Sequence, residues 1–132
     1  PRLTKENADE IIRTYDIIID GCDNFATRYL INDICAEMGK VYVYGAICGF
    51  EGQVSVFHYG EEKKSYRDLY PDEEEMRRMP PPPKGVMGIT PAVTGSIEAT
   101  EVLKIICGFG EVLSGKLWTI DLRTLQSNKF SL

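Results

Sequence analysis

Two carboxylates and an amide gather where an apolar run ends: Asp20-Gly-Cys-Asp23-Asn24-Phe-Ala-Thr-Arg28 follows directly on Ile17-Ile18-Ile19. A carboxylate at a strand-to-helix junction is placed to hold a metal bound to phosphates, because the helix start beside it offers unpaired N–H groups and the positive end of a dipole. In open α/β sheets the ligand crevice lies beyond the carboxyl ends of the strands, which is where this junction falls. The same residues have a plainer use. Asp23 or Asn24 can cap the helix, and Arg28 can pair with an acid as a purely structural contact. On this segment taken alone, the cap and the structural pair are the preferred readings.

The elements around the junction alternate. Thr4 is a natural N-cap for a helix from Lys5 to Thr14, and a strand from Asp16 to Asp20 follows. Phe25, Tyr29, Leu30, Ile34 and Met38 recur at helical spacing, and Gly39 suits the helix end. Val41-Tyr-Val-Tyr44 reads as a strand buried on both faces, as in a parallel sheet covered by helices. The unit is βαβ.

Further along, Phe50 to Phe57 alternates in the manner of an antiparallel edge strand, with Val54 in the core and Gly52 at a bulge or bend. Residues 60–88 form a long charged and proline-rich crossover loop that cannot supply a core element. Within it, Glu73 and Glu74 stand four residues before Arg77 and Arg78 and support a short solvated helix; the run Pro80 to Pro83 then imposes an extended path. Thr90-Pro91 opens a helix through Cys107, closed by Gly108. Leu117 to Ile120 and Ser127 to Leu132 are the last two strands, joined as a hairpin. The expected fold is therefore α/β, a three-layer Rossmann-like sheet, mixed parallel with antiparallel edge and C-terminal strands, in a single domain over residues 1–132.

Composition narrows the function. With 43% hydrophobic residues over 132 positions, the chain can bury roughly two-thirds of its unfolded surface. A net charge of -5 without a basic run argues against nucleic acid as a partner. No apolar stretch reaches membrane-span length and no secretory signal is present, so the expected compartment is the cytoplasm without membrane association. Cys22, Cys35, Cys48 and Cys107 are irregularly spaced beside apolar residues, which fits reduced, buried thiols. The lone His58, in the expected edge strand, reads as a surface residue. The first residue is Pro1, so the expectation is a piece of a longer chain.

Three motifs in order then carry a resemblance: Tyr15-Asp-Ile-Ile-Ile-Asp20-Gly-Cys-Asp23-Asn24-Phe-Ala-Thr-Arg28-Tyr-Leu-Ile-Asn32, Phe50-Glu-Gly-Gln-Val54, and Gly85-Val-Met-Gly-Ile-Thr-Pro91-Ala-Val-Thr-Gly-Ser-Ile-Glu98-Ala. Together they resemble the ThiF/MoeB/HesA family, bacterial relatives of ubiquitin-activating enzymes, over nearly the whole chain. The resemblance implies ATP-dependent adenylation of the C-terminal glycine carboxylate of a ubiquitin-like sulfur-carrier protein of the ThiS/MoaD kind, in thiamine (thiazole) or molybdopterin biosynthesis. It implies Asp23 as the catalytic magnesium ligand, Asn24 beside it on the nucleotide, and Arg28 on phosphate or on the Asp20 and Asp23 carboxylates. It also implies a homodimer, and a Gly-rich nucleotide-binding half that would precede this stretch, without which the fragment alone is expected to be inactive and to self-associate.

The departures from the family's pattern matter too. Where many members place the first of two Cys-x-x-Cys pairs, this chain reads Ser65-Tyr-Arg-Asp68, a poor half-site for tetrahedral zinc, so zinc is not expected. The loop from Asp72 to Gly88 has no cysteine, so a sulfur relay there is unsupported; Cys48 and Cys107 are expected to pack. The missing zinc cysteines lean towards a ThiF-like protein. Two rival functions remain. One is a non-catalytic docking module for a carrier or partner; the other, more distant, is a dinucleotide-dependent oxidoreductase on a similar sheet.

Overall fold

In the computed structural model, which describes residues 2–80, 85 and 88–132, one five-stranded sheet runs in chain order: β1 (Ile17–Ile19), β2 (Val41–Cys48), β3 (Glu51–Phe57), β4 (Lys116–Asp121) and β5 (Gln126–Ser131). Five helices accompany it: α1 (Ala8–Arg13), α2 (Phe25–Met38), α3 (Tyr66–Leu69), α4 (Glu73–Arg78) and α5 (Ile89–Cys107). β1 and β2 are parallel, Ile17 opposite Val41, and α2 makes the crossover between them. Every later pairing is antiparallel. This is the mixed α/β sheet that the sequence suggests, with helices on both faces.

Side-chain alternation along the central strands divides the core in two. Tyr42, Tyr44 and Phe57 join α1 and α2 through Ile12, Tyr29, Ile34 and Cys35. On the other face, Val43, Val54 and Val56 meet Ile97, Val102 and Ile105 of α5, and Leu113. The first layer is aromatic, with Tyr66 packed 4.8 Å from Tyr29 and 5.2 Å from Tyr44 between ring centroids. Such pairs add about 0.5–1.5 kcal/mol each beyond their buried area.

Several elements differ from the sequence reading. Thr4 does not cap α1: its N–H donates to Oδ1 of Asn7, and Asn7 becomes the residue before the helix. Thr90 does not cap α5, which starts at Ile89 after Gly88, two residues earlier than expected; its hydroxyl instead donates to the Gly49 carbonyl at 2.8 Å. β3 is central rather than an edge strand, flanked by β2 and β4. Its polar alternation is consumed internally, because Ser55 donates to the Lys116 carbonyl and Gln53 accepts from the Tyr44 hydroxyl. Gly52 marks no bulge, since the β2–β3 register runs unbroken; it makes room for Thr94 of α5.

The crossover loop does supply a core residue, Tyr66, which is fully buried. Ser65 and Asp68 form a capping box that starts α3, so one polar turn delivers one aromatic ring inward. α3 is pinned from below by Asn32, whose Oδ1 accepts from Tyr66 N–H at 2.9 Å and Ser65 hydroxyl at 3.1 Å and lies 3.0 Å from His58 Nε2. His58 is accordingly half-buried rather than a surface residue, and burial pushes its pKa down. α4 forms where the sequence suggests, with Asp72 capping Glu75. The expected extended path through Pro81, Pro82 and Pro83 lies outside the described residues. Cys35 is buried and Cys22 half-buried, but Cys48 and Cys107 are exposed, because β2 runs beyond its helical cover and the last turn of α5 turns Cys107 outward.

Candidate functional site

The junction after β1 is built around one carboxylate. Asp20 is 4% exposed and accepts four hydrogen bonds: Cys22 N–H and the Cys22 thiol on Oδ1, Arg28 Nε and the Tyr42 hydroxyl on Oδ2, at 2.9, 2.9, 3.1 and 3.0 Å. Each donor comes from a different necessity of the fold. Cys22 N–H points back because the chain must turn; Arg28 stands one helical turn into α2; Tyr42 rises from the neighbouring parallel strand. Donors on both oxygens satisfy this buried carboxylate without a metal.

Arg28 is turned inward. Its guanidinium donates to Asp20 and, through Nη2, to the Cys22 carbonyl at 3.0 Å, with its Cζ 5.8 Å from the centre of the Tyr44 ring. Burial alone would weaken its hold on the proton, but the Asp20 charge more than offsets this and raises its pKa. The same surroundings act on the neighbours: burial first, then Asp20, pushes the Cys22 thiol up to about 12 and Tyr42 well above the ordinary tyrosine value. Both are protonated donors at neutral pH.

The loop held by this pair presents Asp23 and Asn24. Asn24 caps α2, its Oδ1 accepting from Thr27 N–H at 2.8 Å, which is the plainer of its two expected uses. Its amide nitrogen donates to Oδ1 of Asp23 at 3.1 Å. Asp23 is exposed and caps nothing, so it keeps a free carboxylate oxygen at the start of a 14-residue helix. The structure therefore brings Asp20, Asp23, Asn24 and Arg28 together, in two tiers: Asp20 and Arg28 beneath, Asp23 and Asn24 above.

A magnesium ion travelling with nucleotide phosphates needs few protein ligands, typically one or two carboxylates, and retains water and phosphate oxygens for the rest. The open carboxylate of Asp23 fits that demand. Among the described residues no three His, Cys, Asp or Glu side chains gather into an all-protein cage.

Two residues of this region escape sequence reasoning. Tyr42 reads as a core aromatic, and only the parallel register places its hydroxyl on Asp20. Glu98 of α5 is 7% exposed, and its carboxyl fills the space where a side chain on Gly45 would stand. The readable signal for Glu98 is a lone glycine in an otherwise bulky strand.

The chain is 49% identical over 133 residues to a probable molybdopterin-synthase adenylyltransferase of Pyropia yezoensis, covering 99% of this chain and 35% of that one. It is 47% identical over 132 residues to the sulfur carrier protein adenylyltransferase of Thermus thermophilus, covering 91% of this chain and 46% of that one. Among solved structures, E. coli MccB, crystallised with ATP, superposes with a TM-score of 0.77 at 15% identity, covering 99% of this chain and 41% of that chain. The chain thus spans between a third and a half of the length of these proteins. A family model described as ThiF family matches residues 1–132, and the chain belongs to that family.

Proposed function

We propose that the full-length protein adenylates the C-terminal carboxylate of a small ubiquitin-like sulfur-carrier protein, using ATP with magnesium, and that Asp23 is the residue of this chain on which the chemistry turns. The observation that carries the reading is the free, exposed carboxylate of Asp23 at the start of α2, held by a loop whose lower tier is fully hydrogen-bonded. The names of relatives at 47% and 49% identity, a sulfur carrier protein adenylyltransferase and a probable molybdopterin-synthase adenylyltransferase, support it.

The reaction joins the carrier carboxylate oxygen to the α-phosphorus and releases pyrophosphate. Catalysis of such a transfer is positioning plus neutralisation of phosphate charge. Bound magnesium supplies the charge neutralisation. Asp23 would hold that ion, and Asn24, already bound to Asp23, fixes the direction in which the carboxylate points. Arg28 acts at one remove, by holding Asp20 and the Cys22 carbonyl so that the loop cannot relax. The carrier is of the ThiS/MoaD kind, and the enzyme works as a homodimer in the cytoplasm. The pathway served is thiamine (thiazole) or molybdopterin biosynthesis; the names of the Pyropia yezoensis and Porphyra purpurea relatives mention molybdopterin synthase.

The test is carrier-dependent exchange of labelled pyrophosphate into ATP by the full-length protein and its Asp23→Ala variant. Exchange in the wild type, reduced at least 100-fold in a folded variant, supports adenylation with Asp23 in this role. No exchange with any ThiS/MoaD-like carrier overturns it and leaves a docking module.

A further inference from the structure

The Asp20 carboxylate draws its four donors from two sources. Three belong to the junction itself: the Cys22 N–H and thiol lie two residues on, and Arg28 stands in the first turns of the helix into which the loop runs. They close the junction on itself. The fourth, the Tyr42 hydroxyl, comes from β2, 22 residues away in sequence, and reaches Oδ2 at 3.0 Å. Among the described residues, Tyr42 is the one side chain outside the junction that hydrogen-bonds to Asp20.

The register explains the reach. β1 is three residues long, lies at the sheet edge and pairs only with β2; past its end the backbone tie is the Asp20 N–H to the Val43 carbonyl at 2.9 Å. Tyr42 sits opposite Ile18, two residues before Asp20, so ring and carboxylate share one face of the sheet. The ring is fully buried, with Phe57 at 5.9 Å and Tyr44 at 6.4 Å between centroids. Tyr44, next on that face of β2, has its ring centre 5.8 Å from the Arg28 Cζ and gives its own hydroxyl to Gln53 of β3 at 3.2 Å. Each member of the ion pair thus meets one tyrosine of β2, the carboxylate a hydroxyl and the guanidinium a ring face. Apolar packing through Tyr29 and Ile34 sets α2 on the sheet, but such packing has no preferred direction. A reacting constellation must be held to about 0.5 Å, and a directional contact from a locked ring supplies that precision.

We propose that Tyr42 is a positioning residue for the loop that carries Asp23 and Asn24: its hydroxyl, donated to Asp20, registers that loop against β2. Its bearing on catalysis rests on the adenylation reading of the loop. Without the hydroxyl, Asp20 keeps its three junction donors, so the ion pair survives and the chain folds. What is lost is the registration, and Asp23 and Asn24 then sample a wider range of positions relative to the sheet. Burial, then the Asp20 charge, holds the Tyr42 phenol well above the ordinary tyrosine value, so the donor is in place at neutral pH and beyond.

The test is Tyr42→Phe in the full-length protein, which removes the hydroxyl and keeps the ring. Hydrogen–deuterium exchange followed by NMR should show the Cys22 and Thr27 amides, which donate to Asp20 and Asn24, losing protection at least tenfold, while the amides of the β2–β3 ladder stay within threefold of wild type. Equal loss in both sets, no loss in the loop, or a variant that does not fold overturns the proposal, because the hydroxyl is then a general structural contact or an idle one. A second arm rests on the adenylation reading: in carrier-dependent pyrophosphate exchange, kcat should fall at least tenfold while the KM for the carrier stays within twofold, since the contact aligns the loop and binds no carrier. An unchanged kcat beside a loosened loop overturns the positioning role. A loosened loop with pyrophosphate exchange by neither protein supports the registration by Tyr42 and sinks adenylation instead.

Discussion

Arg28 Nε lies 3.1 Å from Asp20 Oδ2, with 10% of the arginine side chain and none of the aspartate side chain exposed. An ion pair this deep is a commitment in both directions: each partner makes the other tolerable, and neither can be removed alone without stranding a buried charge.

Asp20→Ala should therefore cost about 3–5 kcal/mol in chemical denaturation, because it leaves the Arg28 guanidinium uncompensated. Asp20→Asn, which keeps the shape, should cost somewhat less. A loss under 1 kcal/mol for the alanine variant would mean that Arg28 swings out to solvent.

Glu98→Gln should stabilise the protein, by an amount that depends on pH. The folded-state pKa is raised from 4.5 to about 8, so between those values the unfolded chain gives up the proton and the folded chain must keep it. Wild-type stability from this group is intact below 4.5, declines as pH rises to about 8, and is level beyond. The variant's advantage should be absent at pH 4.5 and reach several kcal/mol by pH 8.5, since each tenfold difference in proton affinity between the folded and unfolded chain is worth about 1.4 kcal/mol. Melting curves at the two pH values check it; an advantage equal at both would refute the assignment.

Gly45→Ala should destabilise by about 1–3 kcal/mol, since the new methyl enters the space of the Glu98 carboxyl. Shortening the obstacle should reverse much of that. In the double variant Gly45→Ala with Glu98→Ala, the cost should fall below the sum of the two single costs, and the size of that non-additivity measures the contact. Strict additivity would show that the two positions do not touch.

Asp23→Asn should leave stability within about 0.5 kcal/mol of wild type, because the side chain is exposed and caps nothing. Against that unchanged fold, carrier-dependent exchange should drop by two orders of magnitude or more. A variant that unfolds would show that the carboxylate is structural.

Much of this architecture is legible from local patterns. Asn24 and Gly39 bracket α2 where residue type alone puts the boundaries, and the 3.6-residue stripe finds the right face of that helix. The hairpin of β4 and β5 is readable for the same reason. α5 is readable in extent but only half in orientation: beside Ile97, Val102 and Ile105 its inward side also buries Thr90, Thr94, Glu98 and Glu101, which hydrophobic periodicity does not report. Tyr66 escapes because one aromatic in a charged segment gives no period at all; two of the rings that bury it, Tyr29 and Tyr44, lie on α2 and β2, well removed in sequence. β3 reads as an edge because polar alternation ordinarily signals solvent, whereas Ser55 and Gln53 find their partners on β4 and β2. Asp23 and Asn24 come from the motif. Their lower tier, in which Tyr42 donates to Asp20, needs the sheet register.

The single oxygen of Asn32 that meets His58, Ser65 and Tyr66 also sets a rule for redesign. It ties the end of β3 and the first turn of α3 to the middle of α2, so the crossover segment is rooted at its start by one side-chain oxygen. Within the later part, Met76 still packs into the core, so a graft that keeps Tyr66 must keep an apolar side chain at position 76 as well. Starting an exchange before Ser65 would pull the Tyr66 ring out of the core, and starting it at Tyr70 would remove the carbonyl that accepts the Tyr29 hydroxyl at 2.7 Å.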